Sequence, residues 1–477
     1  MFRKNIYKYV GLAFICAAYS ACKVPEFAQR DENKNVPVSF NNSQDSTNTV
    51  KVQWRQFFTD PNLVSLIDTA LKNNQELNVT LEEIEISKNE IKARKGELLP
   101  SVGYRAGAGL EKVGRYTSSG AGDASTDITP GIEVPEVLPD YAFGLQANWE
   151  ADIWHKLRNS KKAAVSRYLS TVEGRNFVIT NLVAEVANSY YELLAYDNQL
   201  AIVKQNIALQ SNALELMKIQ KQATRVTELA VRKFEAEVLS SKSLEFDIEQ
   251  NITESENKIN FLLGRYPQPI QRDKTSFTDL VPPTVQVGLP AQLLANRPDI
   301  KQAEYDLAAA KLDVKVAKAQ FYPSLGISAT IGYQAFNPSY LLRTPESLAY
   351  SLAGDLAGPL INRNAIKAEY LTANAKQLQA VFNYEKTILN GYIEVANQLS
   401  NITNLQKSYD LKSKQVLALT QSIDISNDLF KSARADYFEV LMTQRDALQS
   451  KLELIETKKQ QLNAVVNIYH ALGGGWN

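Results

Sequence analysis

Histidine and cysteine are nearly missing from this chain: two of each in 477 residues. Both cysteines, Cys16 and Cys22, stand at the extreme N-terminus, so a disulfide framework or a cysteine metal site is excluded for the rest of the chain. The histidines, His155 and His470, are far apart and occupy no ligand-spaced motif, and neither HExxH nor a Cys/His cluster can be written. No metal and no cofactor is therefore expected. His155 is expected to cap or flank a helix and His470 to lie within one. An excess of one charge is also lacking: Lys+Arg and Asp+Glu both total 52, with no long basic run. Nucleic acid, which calls for a basic face, is not an expected partner. Phosphate loops and activated-nucleophile motifs are missing too, which leaves a periplasmic or secreted enzyme on a helical scaffold without support. What is present, 44% hydrophobic and 22% charged residues, excludes global disorder.

The chain begins with an apolar run too short to span a membrane. Arg3, Lys4 and Lys8 precede Val10 to Ala18, then Tyr19-Ser20-Ala21-Cys22, and residues 1–21 read as an export signal. The small residues before Cys22 resemble a lipobox, with Tyr19 where an aliphatic residue is usual. Cys22 is thus the candidate lipidated first residue of the mature chain. Cleavage near Ala18 or Ala21 would instead leave it an ordinary thiol. Acyl chains gain about 0.8 kcal/mol per buried CH₂, enough to anchor firmly when one cysteine carries several. Residues 22–50 are polar and aperiodic and read as an extended tether.

The body repeats itself. Leu98-Leu99-Pro100-Ser101-Val102-Gly103 recurs as Phe321-Tyr322-Pro323-Ser324-Leu325-Gly326, Glu185-Val186-Ala187-Asn188 as Glu394-Val395-Ala396-Asn397, and Leu262-Leu263-Gly264 as Ala471-Leu472-Gly473. The last two echoes share one offset, 209 residues (185 to 394 and 264 to 473), while the first is displaced by 223 (100 to 323). Three echoes in the same order divide the chain into repeats at 51–270 and 271–477. Each has the coarse order helix, strand, strand, two long helices. Asp60-Pro61 forms an N-cap followed by proline at the first helical position, and the second helix, Leu77 to Leu98, stops before Pro100.

The period then changes to two. Val102, Tyr104, Ala106, Ala108 and Leu110 alternate with small or polar residues, as do Tyr141 to Trp149, Leu325 to Tyr333 and, less regularly, Leu348 to Leu356. Each run is about ten residues long, the length of a tilted strand crossing hydrocarbon. A half-buried sheet of a soluble domain shows the same alternation; strand length, the small polar face and the export signal favour a lipid-facing barrel. The loop from Glu111 to Pro139 is long and that from Phe336 to Pro345 short, an asymmetry suited to outward-facing loops.

Proline is missing again from the four stretches that follow: Lys156 to Lys221, Glu228 to Leu263, Ala365 to Lys431 and Tyr437 to Leu472. A sixty-residue helix is about 90 Å long, and apolar positions such as Leu182, Val186, Tyr190 and Leu193 recur at coiled-coil spacing. The expected fold class is an α+β membrane protein. Four strands per chain are too few to close a barrel, and open edges cannot face lipid, so several copies must contribute strands to one sheet. A coiled-coil lipoprotein with a purely structural role is the alternative; it has no need of the four alternating runs.

Read together, Trp54 with Phe57 to Leu63, Leu99-Pro100-Ser101, Trp149 to Trp154, Leu289 to Asp299, Phe321 to Ser324 and Ala471 to Trp476 make this chain similar to outer-membrane efflux proteins of the OprM/NodT lipoprotein branch, related to TolC. The resemblance implies a homotrimer, a twelve-stranded barrel in outer-membrane lipid continuous with a periplasmic α-helical barrel, and docking with a periplasmic adaptor and an inner-membrane efflux pump. Export through such a duct is passive. It also implies a gate where the paired long helices turn. By position in the motif, Glu228 and Glu439 fall where the family's gate carboxylates lie and Phe430 where an aromatic gate residue lies, with Arg434 and Asp436 close enough to join the network. The chain departs from TolC in having Glu for Asp, and Met442 where a further acidic residue would stand. Ordinary solvated charges at a helix hairpin would look the same.

Overall fold

The computed structural model describes residues 30–40, 47, 49, 52–274, 277–359, 361, 363–432 and 434–476. The signal segment 1–21 and Cys22 lie outside the described residues. The chain is α+β, mostly helical with one principal sheet. Its main elements are α1 (Pro61–Asn73), α2 (Gln75–Gly96), β1 (Ser101–Lys112), β2 (Val137–Ala151), α3 (Lys156–Gln222), α4 (Glu228–Leu262), α5 (Pro298–Ala319), β3 (Ser324–Ala335), β4 (Leu348–Ala357), α6 (Asn364–Lys431) and α7 (Tyr437–Ala471). They form two compact units, one built from residues 86–168 and 305–381, the other from 32–85, 169–304 and 382–477.

In the first unit the four strands run in the order β1-β2-β3-β4, antiparallel throughout. Tyr104 pairs with Leu145, Leu145 with Ile331, and Ile331 with Tyr350. Residues directly opposite share a face, so the apolar sets of all four strands lie on one side. That side has no cover among the described residues: Tyr104 is 89% and Tyr350 79% exposed. Nor do β1 and β4 have a strand on their outer edges among the described residues. The loop between β1 and β2 carries structure of its own, a small helix (Ser118–Asp123) and two paired strands (Asp127–Thr129 and Ile132–Glu133).

The strand-to-helix junctions explain the tryptophans. The Trp149 indole donates to the Leu98 carbonyl at 3.1 Å and that of Trp154 to the Pro323 carbonyl at 2.7 Å. The Asp152 carboxylate accepts from the backbone N–H of Leu157 and Arg158, both at 2.9 Å, satisfying two of the orphan donors at the start of α3. His155 precedes that helix in the left-handed region at φ 60°.

The second unit has a conventional buried core. Leu63, Ile67 and Ala70 of α1, Val186, Tyr190 and Leu193 of α3, Ile259 of α4 and Val466 and Tyr469 of α7 meet in it. Asp60 caps α1 through the Asn62 N–H at 2.8 Å with Pro61 in the first turn, and its other oxygen accepts from the Tyr190 hydroxyl at 2.7 Å. Both echoed Leu-Gly motifs end helices. Gly264 and Gly473 stand at φ 66° and 89°, and a Cβ there would meet the carbonyl of Asn73 at 2.4 Å or of Asn296 at 2.7 Å, so only glycine closes either joint. His470, inside α7, is half-buried with its ring nitrogen 2.6 Å from the Asn181 side-chain oxygen.

Of the segment read as a tether, residues 30–40 carry no helix or strand. Residues 32–40 are nonetheless held within the second unit. Lys34 pairs with Glu304 at 2.7 Å, the Asn33 N–H donates to Glu385 at 3.0 Å, and Phe40, 1% exposed, stacks on Tyr392.

Candidate functional site

The two turns joining the paired long helices are built alike, within the second unit. After α3, the Arg225 N–H donates to the Gln220 carbonyl at 2.9 Å; after α6, the Arg434 N–H donates to the Leu429 carbonyl at 2.8 Å. Each bond satisfies a carbonyl that the helix end leaves orphaned. Thr227 then caps α4 and Asp436 caps α7, its carboxylate accepting from Phe438 N–H at 2.7 Å and Glu439 N–H at 3.0 Å.

The charged candidates divide between the turns. Glu228 opens α4, where the helix dipole favours an acid. It pairs with Lys221 across the turn and with Arg232 one helical turn on, at 2.9 Å. The hydrogen bond from Lys221, reinforced by Arg232, holds the Glu228 carboxyl below the ordinary carboxylate range. Asp436 and Arg434 stand two residues apart but form no ion pair among the described residues; the Asp436 carboxylate is committed to the cap. Glu439 is exposed, as is Arg434. Glu228 and Glu439 are not structural equivalents either, because the first is the first residue of its helix and the second the third.

Phe430 is half-buried. It packs with Val226 and Tyr437 against an apolar cluster of Leu214, Met217, Val231, Phe234, Val238 and Leu441, which draws on both hairpins. Lys233 lies over the ring of Phe438 at 4.8 Å. The sequence reading overlooked Lys221, Arg232 and Lys233. The i,i+4 spacing of Glu228 and Arg232 was a usable signal; the Lys221 pairing depends on the turn and had none.

A family model described as outer membrane efflux protein matches residues 66–265 and 289–474. The chain belongs to the outer membrane efflux protein family. The pyoverdine export outer membrane protein OpmQ of Pseudomonas aeruginosa is 28% identical over 89% of this chain and 87% of that protein. The probable outer membrane lipoprotein SilC of Salmonella typhimurium is 25% identical over 99% and 97% respectively. The fold is shared with the Neisseria gonorrhoeae MtrE outer membrane channel in its open state, at a TM-score of 0.81 and 22% identity, covering 95% of this chain and 98% of that one. As an outer membrane efflux protein, the chain resides in the outer membrane, extends into the periplasm and supplies the channel component of an efflux system.

Proposed function

We propose that three copies of this outer membrane efflux protein close one twelve-stranded barrel around an aqueous lumen, four strands from each. The observation that carries this reading is the sheet whose two edges are unpaired and whose apolar face is uncovered among the described residues. Such edges are excluded from lipid unless another copy pairs with them. The long helices of the three copies enclose the periplasmic part of the duct, which docks with a periplasmic adaptor and an inner-membrane pump. The pump supplies the energy; the duct is passive and no enzyme. The chain is organised as repeats 51–270 and 271–477, and Glu228, Phe430, Arg434, Asp436 and Glu439 belong to the region that closes the duct. Cys22 carries the acyl anchor, in keeping with the lipoprotein name of SilC.

The test is electrophoretic. The full-length protein should migrate as a detergent-resistant trimer when unheated and as a monomer after boiling. Labelling with radioactive palmitate should disappear in Cys22→Ala while the trimer persists, because the shared barrel holds it. A wild-type protein that is monomeric in mild detergent overturns the trimer, and undiminished labelling of Cys22→Ala overturns the anchor.

A further inference from the structure

The second face of the sheet, opposite the apolar one, can be read row by row from the strand register. One row holds Gly103, Gln146, Thr330 and Ser351; the next holds Arg105, Gly144, Gly332 and Ala349; the one after holds Gly107, Ala142 and Gln334. Arg105 is the only charged side chain in these three central rows. It is also the only one in its own row larger than a methyl group. The row is closed to anything bulkier, since a Cβ on Gly144 would come within 2.6 Å of the Gly332 Cα and 2.5 Å of the Ile331 carbonyl oxygen. The guanidinium has no ion-pair partner among the described residues, and it is exposed.

The carboxylates of the same face stand towards the strand ends. Asp140 accepts from the Gln334 amide at 3.0 Å and Glu150 is paired with Lys156 at 2.5 Å. Asp355 sits in the row of Gly326, and Glu111 in the row of Leu138. At about 3.4 Å per residue the Asp140 row is roughly 14 Å from that of Arg105, and the Asp355 row farther still. Charges so far apart are largely screened, the Debye length being about 8 Å at physiological ionic strength. Arg105 therefore sets the local potential at the middle of the strands, where the low-dielectric wall focuses it into the lumen.

We propose that Arg105 is a selectivity-determining residue of the channel: three copies form a guanidinium girdle that favours cargo bearing an anionic group such as a carboxylate, phosphate or sulfonate. The inference rests on the trimeric barrel proposed above. Guanidinium binds such oxyanions in a bidentate manner, while the glycines of its row leave the side chain free to reach passing cargo.

The test is reversal-potential measurement on full-length protein in planar bilayers under a potassium chloride gradient, with Arg105→Gln and Arg105→Lys beside wild type. Arg105→Gln should raise the potassium-to-chloride permeability ratio at least about twofold, and Arg105→Lys should keep it near the wild-type value. An unchanged ratio in Arg105→Gln channels overturns the girdle and leaves the duct standing. Loss of the heat-modifiable trimer in Arg105→Gln also overturns it, by making Arg105 a structural support. A wild-type protein that forms no channel at all overturns the duct, and the girdle with it.

Discussion

The two joints that end α4 and α7 perform one task with different chemistry. Both close on a glycine with positive φ, and both leave a helix-terminal carbonyl to be satisfied from a neighbouring segment. At the first, the Asn74 side-chain amide donates to the Leu262 carbonyl at 3.0 Å. At the second, Arg297 donates to the Ala471 carbonyl at 2.7 Å while also binding Asp299 at 2.7 Å and Glu394 at 2.6 Å. Arg297 is 3% exposed. Loss of the neutral amide orphans the Leu262 carbonyl and the Leu77 N–H that its oxygen accepts from; loss of the buried cation leaves two acids without their anchor as well. The second joint should therefore be the more brittle of the two.

Substitution sharpens that contrast. Arg297→Met should destabilise by about 3 kcal/mol, the low end for breaking a buried ion pair because the Glu394 partner is half exposed. Asn74→Ala should cost about 2 kcal/mol, because it removes two buried hydrogen bonds, to the Leu262 carbonyl at 3.0 Å and from the Leu77 N–H at 2.9 Å. Thermal loss of the helical circular dichroism signal in detergent checks the order. Equal midpoints for the two variants would show that the charges at the second joint add nothing.

A smaller effect concerns pH and touches only the second joint. Burial, with help from the nearby Arg297 cation, pushes the His470 imidazole below its ordinary value of 6.5. The folded state thus favours the neutral ring. Its contribution is fully present above the ordinary value and is lost as pH falls below it, when the unfolded chain takes up the proton first. Thermal midpoints of wild type should drop between pH 7 and pH 5 by more than those of His470→Gln, which cannot titrate. Parallel pH curves for the two would remove His470 as a source of acid sensitivity. The offset that relates the two helix ends puts Phe261, 73% exposed, in the corresponding place, so the first joint carries no imidazole there.

Much of this was legible in local sequence, and the reasons are physical. Asp60-Pro61 and the stop before Pro100 act within a few residues, so helix limits followed from capping and proline sterics. The alternating runs predicted strands, and the register put those apolar sets on one face. Pairing of β2 with β3 spans the whole first helical hairpin, and nothing local encodes it. The same limit hid Lys34 on Glu304 and Phe40 on Tyr392, which hold a segment that composition alone describes as a tether. At the turns, charge and position in the motif singled out Glu228 and Glu439 as a pair, whereas the 209-residue offset already aligned Thr227 with Asp436 and so Glu228 with Tyr437.

That inequivalence yields the last and smallest prediction for stability, with its readout in conductance. Glu228 is held within its own hairpin by Lys221 and Arg232, whereas Arg434 and Glu439 are exposed and form no ion pair within the chain among the described residues. Groups of the second kind remain available to a neighbouring copy around a three-fold axis. Neutralising both carboxylates, Glu228→Gln with Glu439→Gln, should raise single-channel conductance or leakage, and Glu439→Gln alone should account for more of the rise than Glu228→Gln alone. Surface pairs contribute little to folding, so thermal midpoints should barely move. The Glu228 clamp is lost as pH falls through the depressed value of its carboxyl. Wild-type conductance in the double variant would remove both carboxylates from the gate and leave the Phe430 cluster as the part that closes it.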